Sequence, residues 1–348
     1  MFLSNERERI IIEIGSGWTK VLIGSALGKK KKKGLVNESL TIRDVFYIQT
    51  PKAKVPPSMA SLDGTRGFTP FFDVLALQEE IKANLQRRKV KAEKVIMTIT
   101  DRSVISREMV LPKVEEEKLK GIVGYELQEF LPIDPKQYII DFKVLETLKV
   151  GEIEKYKLNV VALLKEEGQF YHRFIRDMGL EPYALDLTSN GIAKLFDRNI
   201  TINGKVRDVE EKTMAYIDIG CGNIKLHILE KGVLKFTRNI EGGMQPLSNN
   251  QGEKIPDDEN TQELVKKWIG SLEQMVKFFT SRESNRKIDQ LFIYGGGAMI
   301  PQVEKVFEET MGVPAEVIHD IDALDFHKDC QFFSLPIYLN AVASLIRR

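Results

Sequence analysis

At 348 residues the chain is too long for one typical hydrophobic core and points to two domains, or to two lobes of one. Its 51 lysines and arginines against 50 aspartates and glutamates give a formal net charge of +1, so whole-molecule charge offers no argument for nucleic acid as a partner. Two cysteines, Cys221 and Cys330, exclude a disulfide scaffold and a four-cysteine zinc site and fit a reducing compartment.

The start, residues 1–9, is polar and charged, and the apolar run behind it is broken at Glu13, which does not read as a signal peptide. No stretch approaches the roughly 18 apolar residues of a membrane span. The expectation is a soluble, cytoplasmic chain.

In the first half, strand-like runs at 10–14 and 20–23 flank the tight turn Gly15-Ser16-Gly17-Trp18. Lys29, Lys30, Lys31, Lys32 and Lys33 follow as a basic hairpin tip, and a third apolar run ends near Ile48. Val74, Leu77, Ile81 and Leu85 recur at helical spacing, and a strand is expected over 95–100. Residues 102–182 read as a small α+β module. It has a strand at 103–111, a helix near 115–131, two strands at 138–148 and 156–164, and a second helix that stops at Gly179.

The second half opens near Met214 with two strands about a glycine turn, and a third strand at 234–240 leads to Gly242-Gly243. Residues 245–260, rich in Asn, Asp and Gly, are polar and read as loop or disordered. A helix is expected over 261–282, carrying Leu264, Val265, Trp268, Leu272, Met275 and Phe279 as core. The strand 291–294 and the triplet Gly295-Gly296-Gly297 come next. A helix opened by Pro301 and closed by Gly312 follows, and a terminal apolar helix spans 339–346.

The most informative feature is a duplication. Ile12-Glu13-Ile14-Gly15-Ser16-Gly17-Trp18-Thr19-Lys20 superimposes on Ile217-Asp218-Ile219-Gly220-Cys221-Gly222-Asn223-Ile224-Lys225, with both isoleucines, the acid, both glycines and the lysine coincident. Each copy lies between two apolar runs and reads as a β-hairpin with the acid at the end of its first strand. Glycines let the chain turn with no Cβ in the way, so that backbone N–H groups can converge on a phosphate. A carboxylate so placed can hold hydrated magnesium, which binds through carboxylates and phosphates and keeps several waters. Two facing hairpins would clamp a nucleoside triphosphate between lobes. The candidate nucleotide-binding set is Glu13, Gly15, Ser16, Gly17, Lys20, Asp218, Gly220, Gly222, Asn223, Lys225, Gly295, Gly296 and Gly297, with Glu13 and Asp218 for the metal. The glycine triplet is neither a spaced dinucleotide fingerprint nor a P-loop, since no GK[ST] ending follows.

These three elements, in this order, resemble the first phosphate, second phosphate and adenosine motifs of the actin, sugar kinase and Hsp70 superfamily. Within the small module, Gly124-Tyr125-Glu126, Phe130-Leu131-Pro132-Ile133 and Tyr138-Ile139-Ile140-Asp141-Phe142 resemble the extra subdomain of the type IV pilus assembly PilM family, relatives of the division protein FtsA. So do residues 160–166, Gly179-Leu180-Glu181-Pro182 and Leu185-Asp186, as well as residues 237–243 and the closing 340–348.

The resemblance implies a two-lobed α/β, actin-like fold with an extra small α+β subdomain in the first lobe. The first-lobe core is expected over 1–101 with 183–210 and 336–348, the extra subdomain over 102–182, and the second lobe over 211–335. ATP and magnesium are the implied cofactors, with hydrolysis weak or absent. The implied partner is the short cytoplasmic tail of a PilN-like inner-membrane protein, held in a groove between first-lobe core and extra subdomain. Such binding would couple the membrane subcomplex to the cytoplasmic motor ATPases of the pilus machine.

Three departures from the family pattern stand out. Glu13 replaces the usual first-loop aspartate. Lys267 and Gly270 flank Ser271 where an acid and an arginine are usual. The second lobe's small subdomain is reduced to the stretch 244–260, which would leave base and ribose exposed.

Other residues carry weaker readings. The lysine tip would suit anionic lipid, but a solvated hairpin is the simpler reading. His319, Asp320, Asp322, Asp325, His327 and Cys330 are rich in metal-ligand types, yet their spacing fits no zinc pattern. Cys221 as a nucleophile fares no better, since a small residue simply suits the turn. Tyr125 and Glu126 sit on the polar side of a helix, where contacts are the simpler role than catalysis. A scaffold built on the actin-like fold is thus the first expectation and an ATP-driven switch the second. A division protein comes third, disfavoured because no polar linker or amphipathic anchor is recognised after the fold.

Overall fold

The structure is a computed structural model that describes residues 8–30, 36–54, 68–100, 104–130, 134–151, 153–245, 258–328, 330 and 333–347. Strand β1 (Arg9–Ile14) turns back into β2 (Trp18–Lys30), with Glu13 opposite Lys20 and Ile14 opposite Thr19. Strand β3 (Val36–Gln49) continues the antiparallel meander. Lys31, Lys32 and Lys33 lie outside the described residues, and Lys29 and Lys30 close β2. Helix α1 (Val74–Arg87) buries Leu77, Ile81 and Leu85, four residues apart on one face. It is the crossover that lets β4 (Lys94–Ile99) lie parallel to β1.

Next come β5 (Ile105–Pro112), α2 (Glu116–Phe130), β6 (Tyr138–Val150), β7 (Ile153–Leu164) and α3 (Lys165–Asp177). The sheet runs β5-β7-β6, all antiparallel. Helix α2 lays Leu119, Val123 and Leu127 on Met109, Leu111, Leu158, Val160 and Ala162 to close a small core. Gly179, at φ +78°, takes the left-handed position just past α3. These elements form one compact unit, Ala53–Val74 with Thr100–Gly179. The stretch before α1 belongs to it because Phe68 and Phe72 pack against Phe170, Tyr171 and Phe174, with ring centroids 5.0–6.1 Å apart.

The other unit is Met1–Lys52, Leu75–Ile99 and Leu180–Arg348. After β4 it continues with β8 (Glu181–Leu187), α4 (Thr188–Leu195) and the short pair β9 (Ile200–Ile202) and β10 (Lys205–Arg207). The meander β11 (Thr213–Ile219), β12 (Asn223–Glu230) and β13 (Val233–Glu241) follows, then α5 (Glu259–Thr280) and β14 (Gln290–Tyr294). A 3-10 turn (Gly296–Met299), α6 (Val303–Met311), β15 (Ala315–Val317), β16 (Leu324–Phe326) and α7 (Leu335–Ser344) complete it.

One sheet runs β16-β3-β2-β1-β4-β8 and the other β13-β12-β11-β14-β15. Each contains three antiparallel strands and then a strand parallel to the first, so the duplicated motif extends to a whole half-sheet. The register repeats too, with Asp218 opposite Lys225 and Ile219 opposite Ile224. Strand β11 is buried on both faces: Met214 and Tyr216 join one core, while Ala215, Ile217 and Ile219 join another with Trp268, Leu272 and Phe307.

Two helix starts differ from the sequence expectation. Helix α7 begins four residues earlier, at Leu335, because Pro336 suits a first helical turn. Helix α6 begins at Val303 rather than Pro301, since Gln302 is left-handed at φ 58°. The expected loop over 245–260 falls largely on residues 246–257, outside the described residues, and Asp258 caps α5 by accepting from the Thr261 N–H at 2.8 Å. Among the described residues, no helix is long and apolar enough to cross a membrane.

Candidate functional site

The paired strand β1–β2 places Glu13 beside Lys20, and β11–β12 places Asp218 beside Lys225. Lys20 Nζ lies 3.2 Å from Glu13 Oε1, and Lys225 Nζ lies 3.3 Å from Asp218 Oδ2. Lys225 Nζ also reaches Thr188 Oγ1 at 3.4 Å. The two acids converge on a residue that lies outside both hairpins. Asn340 of α7 donates from Nδ2 to Glu13 Oε1 at 3.1 Å and to Asp218 Oδ2 at 3.0 Å, joining the acids of the two copies. Glu13, Asp218, Lys225 and Asn340 are all buried.

Burying a charge is costly unless it is paired and hydrogen-bonded. Burial pushes the Asp218 carboxyl up, but Lys225 and Lys20, with the hydrogen bond from Asn340 and a contribution from His227, outweigh it and hold the group below its ordinary value. Asp218 is therefore an anion at neutral pH. Two buried acceptor oxygens in the same cluster, Glu13 Oε2 and Asn340 Oδ1, have no hydrogen-bond partner.

The glycine tips of the hairpins meet. A methyl on Gly17 would fall 2.6 Å from Cys221 Sγ, and one on Gly222 would fall 2.8 Å from Ser16 Oγ. The two tips are therefore in contact, Gly17 against Cys221 and Gly222 against Ser16. The first tip is tied down by Thr50, whose N–H donates to Gly17 O and whose hydroxyl donates to Gly15 O. The second is tied by the segment just past β13, through Met244 N–H to Gly220 O and Gln245 N–H to Cys221 O. The N–H groups of Gly15 and Gly220 close their own turns, on Trp18 O and Asn223 O.

Gly295, Gly296 and Gly297 pack on the end of β11. Gly295 has φ +85°, and a methyl there would come 2.4 Å from Asp218 Oδ1; its N–H donates to Pro336 O at 2.8 Å. The triplet thus joins the acid cluster through Asp218. Asn223 does not: its side chain donates to Asn239 Oδ1 at 2.6 Å, along the sheet. Helix α7 touches all three motifs, at Pro336 and at Asn340, and is held further along by Thr98 Oγ1 donating to Ser344 Oγ at 2.8 Å. Asn340 was visible as an amide within the apolar run Leu339-Asn340-Ala341-Val342-Ala343, a pattern that costs stability unless the amide is used.

Among the described residues, no group of three or more His, Cys, Asp or Glu side chains could hold a metal by itself. Of the ligand-rich stretch near the end, Asp322 accepts from Thr201 N–H and Asp325 from the Ser39 hydroxyl, which are structural uses.

A family model described as type IV pilus assembly protein PilM matches residues 69–255, more than half of the 348. The chain belongs to the PilM family. A solved structure described as a PilM-PilN type IV pilus biogenesis complex aligns over 98% of this chain and 98% of that one, with a TM-score of 0.73 and 18% identity. This PilM-family chain therefore has the actin-like fold, with the extra α+β unit set into its first half. The ethanolamine utilization protein EutJ from Carboxydothermus hydrogenoformans aligns over 97% of this chain and 89% of its own, at 12% identity and a TM-score of 0.45. An actin-like ATPase-fold protein of unknown function from Bacteroides thetaiotaomicron aligns over 99% of both chains, at 11% identity and a TM-score of 0.43. At those scores the last two likenesses support nothing further.

Proposed function

We propose that this chain is a cytoplasmic adaptor of type IV pilus assembly that binds the cytoplasmic tail of a PilN-like inner-membrane protein. The observation that carries the reading is the full-length likeness to the PilM-PilN complex together with the family match over 69–255. Attachment to the membrane would run through that tail, and the bound adaptor would link the membrane subcomplex to the motor ATPases. Calorimetry with a synthetic PilN-like tail tests it. Binding at about micromolar Kd or tighter is expected, whereas a folded chain that gives no heat with the tail overturns the reading.

The acid cluster favours a second role on the same fold, that of an ATP-binding site. The donor set suits hydrated magnesium: two carboxylates lie close together, and Glu13 Oε2 and Asn340 Oδ1 are buried acceptors that lack donors. When bound, magnesium would supply positive charge against the phosphates. Glu13 and Asp218 would face the metal's waters, with Lys20 and Lys225 holding each acid in place. Ser16, Gly17, Gly220 and Gly222 would line the phosphates, and Gly295, Gly296 and Gly297 the adenosine side. The tips touch, so a triphosphate could lie between them only after Gly17 and Cys221 part.

That requirement predicts weak binding and slow or absent hydrolysis, which fits an adaptor better than a motor. Titration with Mg·ATP, followed by calorimetry and thermal unfolding, tests this role. Ligand at 100 times Kd stabilises a fold by about 2.7 kcal/mol, and no shift at millimolar Mg·ATP would mean that the cleft is closed to nucleotide.

A further inference from the structure

Asn340 lies between two acids in the position that a cation takes in an ion pair. Its Nδ2 stands 3.1 Å from Glu13 Oε1 and 3.0 Å from Asp218 Oδ2, so one amide nitrogen gives a hydrogen to each carboxylate. Turning the amide over would point Oδ1 at both carboxylates, so the chemistry fixes its orientation. Two carboxylates this close inside a protein repel each other unless something positive comes between them. Lys20 and Lys225 each pair with one acid, and Asn340 is the group that donates to both. Glu13 Oε2 and Asn340 Oδ1, each on a side chain more than nine-tenths buried, have no hydrogen-bond partner. Helix α7 cannot readily withdraw the amide, since Pro336 O is bonded to Gly295 and Ser344 to Thr98.

We propose that Asn340 is a positioning residue that sets the metal affinity of the paired hairpin acids: its amide takes the place of a divalent cation between Glu13 and Asp218. The proposal rests on the reading of the two hairpins as an actin-like nucleotide site. It adds that the site holds together without metal and binds metal weakly for the same reason. A cation entering between the two acids displaces the Nδ2 contacts, so the amide and the metal compete.

Manganese alone, with no nucleotide, tests this on the full chain, by electron paramagnetic resonance titration of free Mn²⁺ and by thermal unfolding. Asn340→Asp removes the competing donor and adds a third carboxylate, and should bind Mn²⁺ at least about tenfold more tightly than wild type, since oxygen sites gain affinity with ligand charge. Its melting temperature should be low in chelator and rise steeply with Mn²⁺. Asn340→Leu keeps the volume but loses both donors, and should gain more stability from Mn²⁺ than wild type does. Adding Asp218→Asn to Asn340→Asp should remove the extra affinity.

Equal Mn²⁺ affinity in wild type and Asn340→Asp would overturn the proposal. So would a tight site that survives Asp218→Asn, or an Asn340→Asp chain that stays unfolded at every Mn²⁺ concentration. Because no nucleotide is present, these results stand apart from the Mg·ATP titration, which can fail or succeed independently.

Discussion

The first hairpin and the second share their register residue for residue, with each acid opposite the lysine 7 positions on and the next pair, Ile14 with Thr19 or Ile219 with Ile224, flanking the turn. Their side chains have diverged within that common frame. Asp218 is fixed from several directions: Lys225 and Asn340 both reach Oδ2, and Gly295 packs close to Oδ1. Glu13, one methylene longer, uses Oε1 for both Lys20 and Asn340 and leaves Oε2 without a partner. The lysines differ likewise, since the Lys20 side chain keeps 14% of its surface exposed and that of Lys225 keeps 7%. A duplicated backbone therefore carries one acid locked into the core and one with an oxygen to spare. The strand pairing is what the duplication preserves, and the burial around each copy decides how much freedom its acid retains.

The largest effect should come from breaking the locked copy. Asp218→Ala leaves Lys225 buried without its carboxylate, and removing one partner of a buried pair typically costs about 3–5 kcal/mol. Glu13→Ala should cost less, about 1–3 kcal/mol, because Lys20 can turn toward solvent. Urea denaturation of both variants measures the difference, and equal losses would mean that the two copies are energetically alike. In whatever fraction of Asp218→Ala remains folded, tail binding should be intact. Loss of tail binding in that folded fraction would show that the cluster and the partner surface are coupled, against a pure scaffold.

A smaller effect concerns the place where the copies touch. Gly17→Ala drives a methyl toward Cys221 Sγ, and Gly222→Ala drives one toward Ser16 Oγ. Each should cost about 1–3 kcal/mol by overpacking. Cys221→Ala should return part of the loss in Gly17→Ala while doing nothing for Gly222→Ala. A double-mutant cycle on chemical denaturation reads this directly. Strict additivity for Gly17 and Cys221 would show that the tips do not press on each other in solution.

How much of this was legible in the sequence follows from the physics of each element. The acids, lysines and glycines of both hairpins could be found because a glycine turn between two strands is a local signal that repeats at Gly15 and Gly220. The alternating and helical patterns of 103–178 likewise gave the small α+β unit, where one face of each strand and helix is solvated. Asn340 was out of reach of motif reasoning, since its partners Glu13 and Asp218 stand 327 and 122 positions away and only the fold unites them. Helix α4 was also passed over: it is eight residues long and buries six of them, Lys194 included, so polar and apolar residues alike are buried and the segment is too short to stand out. Lys194 is buried because Asp186 and the carbonyl of Ile346 receive its ammonium. The association of the stretch before α1 with the small unit depends on rings at 68, 72, 170 and 174, which no local pattern connects.

The smallest effect, and the one that isolates the second copy, is acid sensitivity. The Asp218 carboxyl is held below its ordinary value in the folded chain, against burial, by Lys225, Lys20 and Asn340, with His227 also favouring the anion. A group whose folded pKa is depressed binds its proton more readily in the unfolded chain. The stability it contributes is therefore fully present above the ordinary aspartate range and is lost as pH falls through the folded value. Folding stability of the wild type should decline as pH drops below that range, and Asp218→Asn should show a shallower decline because the titrating group is gone. Urea unfolding at a series of pH values gives both slopes. If the two run parallel, the carboxyl of the second hairpin is not held as an anion by its lysines, and the asymmetry between the two copies lies in packing alone.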